Sequence, residues 1–122
     1  MSDQKTIDKI RELIPNGRFQ FEGSVCVEVD LTDHNHIFHG LARALSRSDK
    51  ATLLSLIRQL NSLRFLDLRK NRLGPIRDMN FPYLEYLDLG SNYMGEFPNW
   101  IKGCRLKFLN LGANEISHVP DF

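Results

Sequence analysis

The sequence has few cysteines and no long hydrophobic run. Its 122 residues include two cysteines, Cys26 and Cys104, which are too few for the disulfide framework of a small secreted domain. Apolar residues are interspersed with polar ones, so no stretch approaches the roughly 20 residues that a membrane-spanning helix needs. Residues 1–5 are polar and do not resemble a secretory signal. These absences predict a cytoplasmic protein without a membrane segment.

Common catalytic motifs are also missing. The sequence contains no GxxxxGK[ST] phosphate loop, no GxGxxG, no HExxH and no CxxC. Each of these patterns supplies the chemistry of a large class of enzymes. We therefore expect no enzymatic activity and no cofactor.

The net charge of the whole chain is small, but positive charge is concentrated in one stretch. Residues 58–77 hold six Lys or Arg against one Asp, a balance of +5, whereas residues 1–57 balance to −1 and residues 78–122 to −3, which together give the formal net charge of +1. A net charge near zero argues against nucleic acid as the main partner. A nucleic-acid-binding adaptor that stacks bases on Phe65 and Tyr86 stays open as an alternative.

What the sequence does contain is one eleven-residue phrase written three times. The copies are LRFLDLRKNRL (63–73), LEYLDLGSNYM (84–94) and LKFLNLGANEI (106–116). Each has an aliphatic residue at its first, fourth and sixth places, Asn at its ninth, and an aliphatic residue or Met at its eleventh. Successive copies begin 21 and then 22 residues apart. Three copies in register indicate a repeat architecture.

This phrase resembles the leucine-rich repeat, LxxLxLxxNxL, and the resemblance covers residues 25–116. It implies an α/β fold, a right-handed leucine-rich-repeat solenoid with about four parallel strands on its concave face. It also implies that the chain recognises another protein and performs no catalysis.

Alternation within each phrase predicts a strand with one buried face. The segment 65–69 alternates apolar and polar residues with period two. A unit of about 21 residues cannot enclose a core by itself, so the strands must stack as parallel neighbours. After each strand the chain turns, and a side-chain amide there can bond unpaired backbone groups. The ninth-place residues Asn71, Asn92 and Asn114 are therefore predicted to form a structural ladder.

One domain is predicted to cover the whole chain. Its parts are an N-terminal cap at 1–24, an enlarged and degenerate first repeat at 25–62, and repeats at 63–83, 84–105 and 106–122, of which the last is incomplete. The helix and hairpin at the start are similar to the caps of intracellular leucine-rich-repeat domains. Leu106, Leu109 and Leu111 would face an open end, so we expect either a fragment of a longer protein or a covering chain at that edge.

Local signals place the other elements of secondary structure. Apolar residues at three-and-four spacing predict a helix at 3–14, with Ser2 as its N-cap. Two more helices are predicted in the enlarged repeat, one around Phe38 and one that Ser48 caps. Pro98 disfavours a regular helix after the second phrase, so an extended or 3₁₀ path is predicted there.

The face of the sheet inside the curve is the predicted binding surface. There the third place of each phrase carries an aromatic ring and the fifth a carboxylate or an amide, and the second and seventh places of the first phrase carry arginine. The predicted partner-binding residues are Phe65, Tyr86, Phe108, Asp67, Asp88, Asn110, Arg64 and Arg69. Because aromatic residues and arginine are enriched at protein interfaces, a protein partner is predicted on this concave face.

A histidine run follows the first strand of the predicted parallel sheet. His34, His36 and His39 lie in the segment DHNHIFHG, and imidazoles at this spacing could share a metal ion. The run resembles the HxHxDHxG signature of metallo-β-lactamase-like hydrolases, but Phe38 replaces its Asp, and a chain of this length cannot hold that fold. The histidines are therefore predicted to be polar loop residues, and a metal site there stays open as an alternative.

Two functions fit these patterns. The first is a non-catalytic interaction module that binds a protein on its concave face, as the N-terminal sensor or scaffold part of a larger protein. The second is a structural subunit that associates with another copy, or another chain, through its C-terminal edge.

Overall fold

The fold is described by a computed structural model of residues 2–32 and 45–120. In chain order its elements are α1 (Gln4–Leu13), β1 (Arg18–Glu22), β2 (Val25–Asp30), α2 (Arg47–Arg58), β3 (Phe65–Asp67), β4 (Tyr86–Asp88), a 3₁₀ helix (Asn99–Gly103) and β5 (Phe108–Asn110). Within the described residues, no helix has the length and apolar character needed to cross a bilayer.

The five described strands lie in one sheet, in the order β1-β2-β3-β4-β5. β1 and β2 form an antiparallel hairpin, and β2 to β5 run parallel to one another. Val29, Leu66, Leu87 and Leu109 occupy equivalent positions in neighbouring strands. The predicted side-by-side, co-directional strands are thus confirmed, and the fold is α/β with a mostly parallel sheet.

Leucines of the repeated phrase form the core on one side of this sheet. Leu66 and Leu68 of the first phrase, and Leu87 and Leu89 of the second, are at most 1% exposed. Period-two alternation turns these side chains to the same face, and each strand buries them against its neighbours. One short unit has too little apolar surface to form a core by itself. Its neighbours provide the missing surface, and burying it stabilises the fold by roughly 25 cal/mol per Å².

Helix α1 packs against α2 and is bonded to the hairpin through Asp3. The Asp3 carboxylate accepts a hydrogen bond from the Cys26 N–H at 2.8 Å. Ile7 and Ile10 are fully buried and give the helix its apolar face. The predicted N-cap at Ser2 is wrong by one residue, because Asp3 holds that position.

Helix α2 lies in the return segment between β2 and β3. Its N-cap is Ser46, whose Oγ accepts a hydrogen bond from the Asp49 N–H at 3.0 Å. The predicted cap at Ser48 is wrong, because the cap oxygen must reach the N–H of the second or third helical residue. The buried face consists of Leu53, Leu54, Leu56 and Ile57. The other predicted helix, around Phe38, lies outside the described residues.

The return segment after β4 contains the 3₁₀ helix Asn99–Gly103, which follows Pro98. The predicted absence of a regular helix in this segment is confirmed. Trp100 anchors the 3₁₀ helix, because its ring stands edge-on to Phe81 at 5.8 Å between centroids and its Nε1 donates to the Ile76 carbonyl at 2.9 Å. Consecutive return segments are therefore bonded to each other.

Candidate functional site

Three aromatic rings stand in line on the exposed face of the sheet. Phe65, Tyr86 and Phe108 are register partners on β3, β4 and β5. The centroids of Phe65 and Tyr86 are 4.2 Å apart with ring planes at 9°, and those of Tyr86 and Phe108 are 4.4 Å apart at 6°. These three residues are named the aromatic column. The column forms because alternation along each strand turns the third place away from the leucine core.

The rings of the column stack face to face, which leaves their edges for contact. Both faces of Tyr86 are covered by its neighbours, and burial, followed by the nearby Asp67 carboxylate, raises the pKa of its hydroxyl. Phe108 is 43% exposed. A ring edge carries partial positive charge. The column therefore offers apolar area and weakly positive edges, with most of its π faces covered.

The carboxylates beside the column are buried. Asp67 and Asp88 are each 2% exposed. The Arg69 Nε lies 3.1 Å from both Asp67 carboxylate oxygens, and it also lies 3.3 Å from Asp88 Oδ2. The hydrogen bond to Asp67 raises the pKa of the Arg69 guanidinium. The carboxylate stripe of the sequence is thus covered by one arginine and is not open to solvent.

In the third phrase, an amide takes the place of the carboxylates that Arg69 bonds. Asn110 occupies the place held by Asp67 and Asp88, and its Nδ2 donates to Asp88 Oδ1 at 3.0 Å. Gly90 takes the place of Arg69 in the second phrase, and a Cβ there would lie 3.0 Å from Asn110 Nδ2. The Asp88 carboxylate is therefore held by Arg69 and by the Asn110 amide.

Asn92 satisfies backbone groups where the chain turns after β4. Its side chain is fully buried. Its Nδ2 donates to the carbonyls of Leu68, Leu89 and Gly90 at 2.8, 3.1 and 3.2 Å. Its Oδ1 accepts from two N–H groups of the preceding turn, at 3.1 and 3.3 Å. One side chain thus bonds two consecutive turns.

Asn71 and Asn114 repeat this pattern in the turns before and after. The Asn71 Nδ2 donates to the Leu31 carbonyl at 2.7 Å, and the Asn114 Nδ2 donates to the Leu89 carbonyl at 2.8 Å. The Asn114 Oδ1 accepts from the Asn92 N–H at 2.8 Å. The three asparagines therefore link neighbouring turns.

A comparison with protein families matches the second phrase and its return segment. The matching family is described as Leucine Rich Repeat, and the match covers residues 83–104. Residues 83–104 are a leucine-rich repeat. The spacing of 21 and 22 residues between phrases fits its short form. Searches of curated proteins and of solved structures found no significant match.

Exposed ion pairs flank the aromatic column. Arg64 pairs with Glu22 at the end of β1, and their side chains are 44% and 62% exposed. Lys107 Nζ lies 3.7 Å from Glu85 Oε2. Exposed pairs of this kind contribute little to stability. Their charged groups remain accessible at the rim of the surface.

Metal ligands and reactive thiols are the other candidate groups. Within residues 2–32 and 45–120, no group of three or more His, Cys, Asp or Glu is arranged to hold a metal ion. His34, His36 and His39 lie outside the described residues, so their assignment as polar loop residues stays a prediction and a metal site there stays the alternative. Burial raises the pKa of the Cys26 thiol to about 11 and also raises that of Cys104. Neither thiol has the lowered pKa of a nucleophilic cysteine.

The structure divides the predicted site residues into three groups. It aligns the aromatic column, joins Arg69 to Asp67 and Asp88 with Asn110 bonded to Asp88, and leaves Arg64 at the rim. The contact of Arg69 with both carboxylates was not predicted from the sequence, although Asp67, two residues before Arg69, was a signal for it. The sequence also missed Glu22, because pairing with Arg64 depends on where the hairpin lies beside β3.

Proposed function

We propose that this chain is a non-catalytic interaction module whose protein partner binds the aromatic column. Leucine-rich repeats generally mediate protein–protein interaction. The observation that carries the proposal is the stack of Phe65, Tyr86 and Phe108 on the exposed face of the sheet. Aromatic side chains supply a large part of the binding energy at protein interfaces.

The proposal includes a curved arrangement of the repeats. Parallel strands lie about 4.8 Å apart, and helical return segments such as α2 and the 3₁₀ helix need more width than that. A stack with a wider outer side bends around its narrower strand side, which is how short repeats form a right-handed solenoid. The aromatic column would then line the concave surface.

Side-chain exposure separates contact residues from positioning residues in this proposal. The three rings are the central contacts, and Arg64 and Arg69, with side chains 44% and 40% exposed, are the charged contacts. Asp67 and Asp88 act through Arg69, because it covers their carboxylates. Asn110 acts through Asp88. A partner would meet a rigid apolar centre with guanidinium groups beside it.

The experiment removes rings from the column and keeps the fold. The test variant carries Tyr86→Ala and Phe108→Ala. Tyr83→Ala is the matched control, because Tyr83 is 65% exposed and lies outside the column. Wild type, variant and control are crosslinked to partners in native lysate, and the captured proteins are compared by quantitative mass spectrometry.

We expect wild type and the Tyr83→Ala control to capture the same proteins in equal amounts. The amount of each protein that the column variant captures should be at least about tenfold lower, since each aromatic contact at an interface contributes on the order of 1–2 kcal/mol. The circular dichroism spectrum of this variant should match that of wild type. Equal capture by a folded column variant would refute the assignment of this surface.

We also propose a cytoplasmic location for the protein. Cys26 and Cys104 are free thiols, and free thiols persist in reducing compartments. Fractionation of cells that express the tagged chain tests this, and recovery in the secreted fraction would contradict it.

Association through the edge of β5 is the second candidate function. In the described part of the chain, β5 is bonded to β4 on one side. Leu109 in β5 and Leu111 just after it are half-buried, whereas Leu87 is fully buried. A strand edge with apolar neighbours is a template for pairing with another strand. Light scattering over a range of concentrations tests self-association, and a constant mass of 14.1 kDa would refute it.

A further inference from the structure

The basic side chains of residues 58–77 fall into two groups, those with partners among the described residues and those without. Arg58 donates to the carbonyls of Arg77 and Asp78, Arg64 pairs with Glu22, Arg69 pairs with Asp67 and Asp88, and Arg77 pairs with Glu96. Lys70 and Arg72 are exposed, and their side chains make no hydrogen bond or ion pair with the described residues. Lys70 and Arg72 are therefore the two basic side chains of residues 58–77 that have no partner in the part of the chain that the structure describes.

Lys70 and Arg72 both have backbone angles in the left-handed region, with φ of 61° and 52°. The ladder imposes this conformation, because Asn71 between them must turn inward to bond the backbone. The next repeat has the same geometry, with φ of 55° at Ser91 and 58° at Tyr93. The side chains at these places consequently point away from the ladder.

Tyr93 belongs to the same surface as the two cations. Its side chain is 57% exposed. The two turns are held together by hydrogen bonds such as that from the Gly74 N–H to the Asn92 carbonyl at 2.7 Å. Tyr93 follows Asn92 as Arg72 follows the preceding ladder residue. Lys70, Arg72 and Tyr93 are therefore neighbours on the outer surface of the turns, and we name them the basic ridge.

Side chains at such positions are costly for the fold. A bulky residue with positive φ raises the free energy of the folded state, whereas Gly or Asn adopts this conformation readily. The described contacts of Lys70 and Arg72 do not offset that cost. The ladder requires the left-handed conformation at these two places, but it does not require Lys or Arg there, and strained side chains without a described structural contact are typical of functional positions. We infer that the basic ridge is a second binding surface, and that it binds an acidic peptide segment of a protein partner.

The chemistry of the ridge favours an acidic peptide over nucleic acid. Carboxylates form charge-assisted hydrogen bonds with Lys70 and Arg72, and Tyr93 adds a hydroxyl group and an apolar ring. A nucleic acid strand needs cations at successive places along its backbone. The equivalent places of the third repeat are Ala113 and Glu115, and a carboxylate there would repel a phosphate. The ridge therefore matches a short acidic stretch.

The test measures binding of a fluorescent eight-residue peptide of alternating Glu and Gly by anisotropy, at 50 and 200 mM salt. The ridge variant carries Lys70→Asn and Arg72→Asn. We expect it to bind at least about tenfold more weakly than wild type at low salt, because two charge-assisted contacts are lost. Binding by wild type should weaken at high salt, because salt screens exposed charges.

Two control variants separate the ridge from general effects. Lys5→Gln with Lys9→Gln removes the same two positive charges from the exposed face of α1, and it should bind as wild type does. Ala113→Asn reduces the backbone strain at a residue with a left-handed φ of 53° without removing a positive charge. This variant should also bind the peptide as wild type does. The ridge variant should unfold at the same denaturant concentration as wild type or a higher one, because Asn tolerates this conformation.

Three outcomes would overturn the inference. The first is a folded ridge variant that binds the peptide as tightly as wild type. The second is a Gln-for-Glu peptide that binds equally well, since it lacks the carboxylates. The third is an oligothymidine that binds the ridge more tightly than the acidic peptide does, which would favour nucleic acid. This assay does not involve the aromatic column, so its result is independent of the proposed function.

Discussion

The second and third leucine-rich phrases have nearly the same residue pattern but differ in burial. Leu87 and Leu89 are fully buried, whereas Leu109 and Leu111 at the same places are half-buried. Alternation turns all four side chains to the core face. β4 lies between β3 and β5, whereas in the described residues β5 is bonded to β4 alone. Burial in a repeat fold is therefore a property of the stack as well as of the phrase.

The largest expected effect comes from truncating the same leucine in both phrases. Leu87→Ala removes a fully buried side chain and leaves a cavity, so the free energy of unfolding should fall by about 3–4 kcal/mol. Leu109→Ala should cost about half of that or less, because water already reaches the site. Urea denaturation followed by circular dichroism measures both values. Equal losses would mean that the two strands are equally covered in solution.

The ladder asparagines give the next largest difference. Asn92→Ala removes a fully buried side chain that bonds three carbonyls and two N–H groups. We expect the free energy of unfolding to fall by about 3 kcal/mol, since each buried polar group left unpaired costs about 1–3 kcal/mol. Asn114→Ala should cost about 1 kcal/mol, because water can replace bonds at a half-buried site. The same urea experiment measures both losses, and an equal loss of stability in the two variants would contradict this explanation.

Sequence patterns predicted the features of this fold that are periodic or that depend on local turn and proline chemistry. The strand register of Leu66, Leu87 and Leu109 follows from alternation and fixed repeat spacing. The hairpin predicted at the start of the chain turns at Gly23, whose φ of 63° is one that glycine adopts freely. The 3₁₀ helix after Pro98 follows from the limits that proline places on a helix.

Other features depend on contacts that no local pattern encodes. Ser46 and Ser48 both satisfy the preference for an N-cap, and only the packing of α2 selects between them. Alternation assigns Asp67 and Asp88 to the exposed face of the sheet, but it cannot show that Arg69 folds back over them. The identity of a partner depends on a second surface, which one sequence does not contain.

A smaller effect is expected where the third phrase replaces a carboxylate with an amide. Asn110→Asp exchanges the donor 3.0 Å from Asp88 Oδ1 for a second negative charge. We expect the free energy of unfolding to fall by about 1–2 kcal/mol at pH 7 through repulsion between like charges. Repulsion raises the pKa of the introduced carboxyl group in the folded state. The loss is therefore complete above that raised pKa and disappears below the unfolded value of about 3.9.

Asn110→Ala is the matched control for this pH dependence. It removes the same donor to Asp88 without adding a charge. Its loss in free energy of unfolding should therefore not shrink at low pH, because the variant has no introduced carboxylate to protonate. If Asn110→Asp and Asn110→Ala lose the same stability at every pH, the charge at this place has no effect, and the difference between the second and third phrases at this position is one of hydrogen bonding alone.

The smallest expected effect lies at the exposed pair of Arg77 and Glu96, which joins the first and second return segments. His118 takes the place of Glu96 in the third. The hydrogen bond from Arg77 lowers the pKa of Glu96 below its ordinary value of 4.5. A lowered folded pKa means that the stabilisation is present above the ordinary value and is lost as pH falls through the folded one. Glu96→Gln should therefore lower the urea midpoint slightly at pH 7 and leave it unchanged at pH 2, and salt should reduce the difference. A difference that persists at pH 2 would mean that this contact acts through packing, as the buried leucines do, and not through charge.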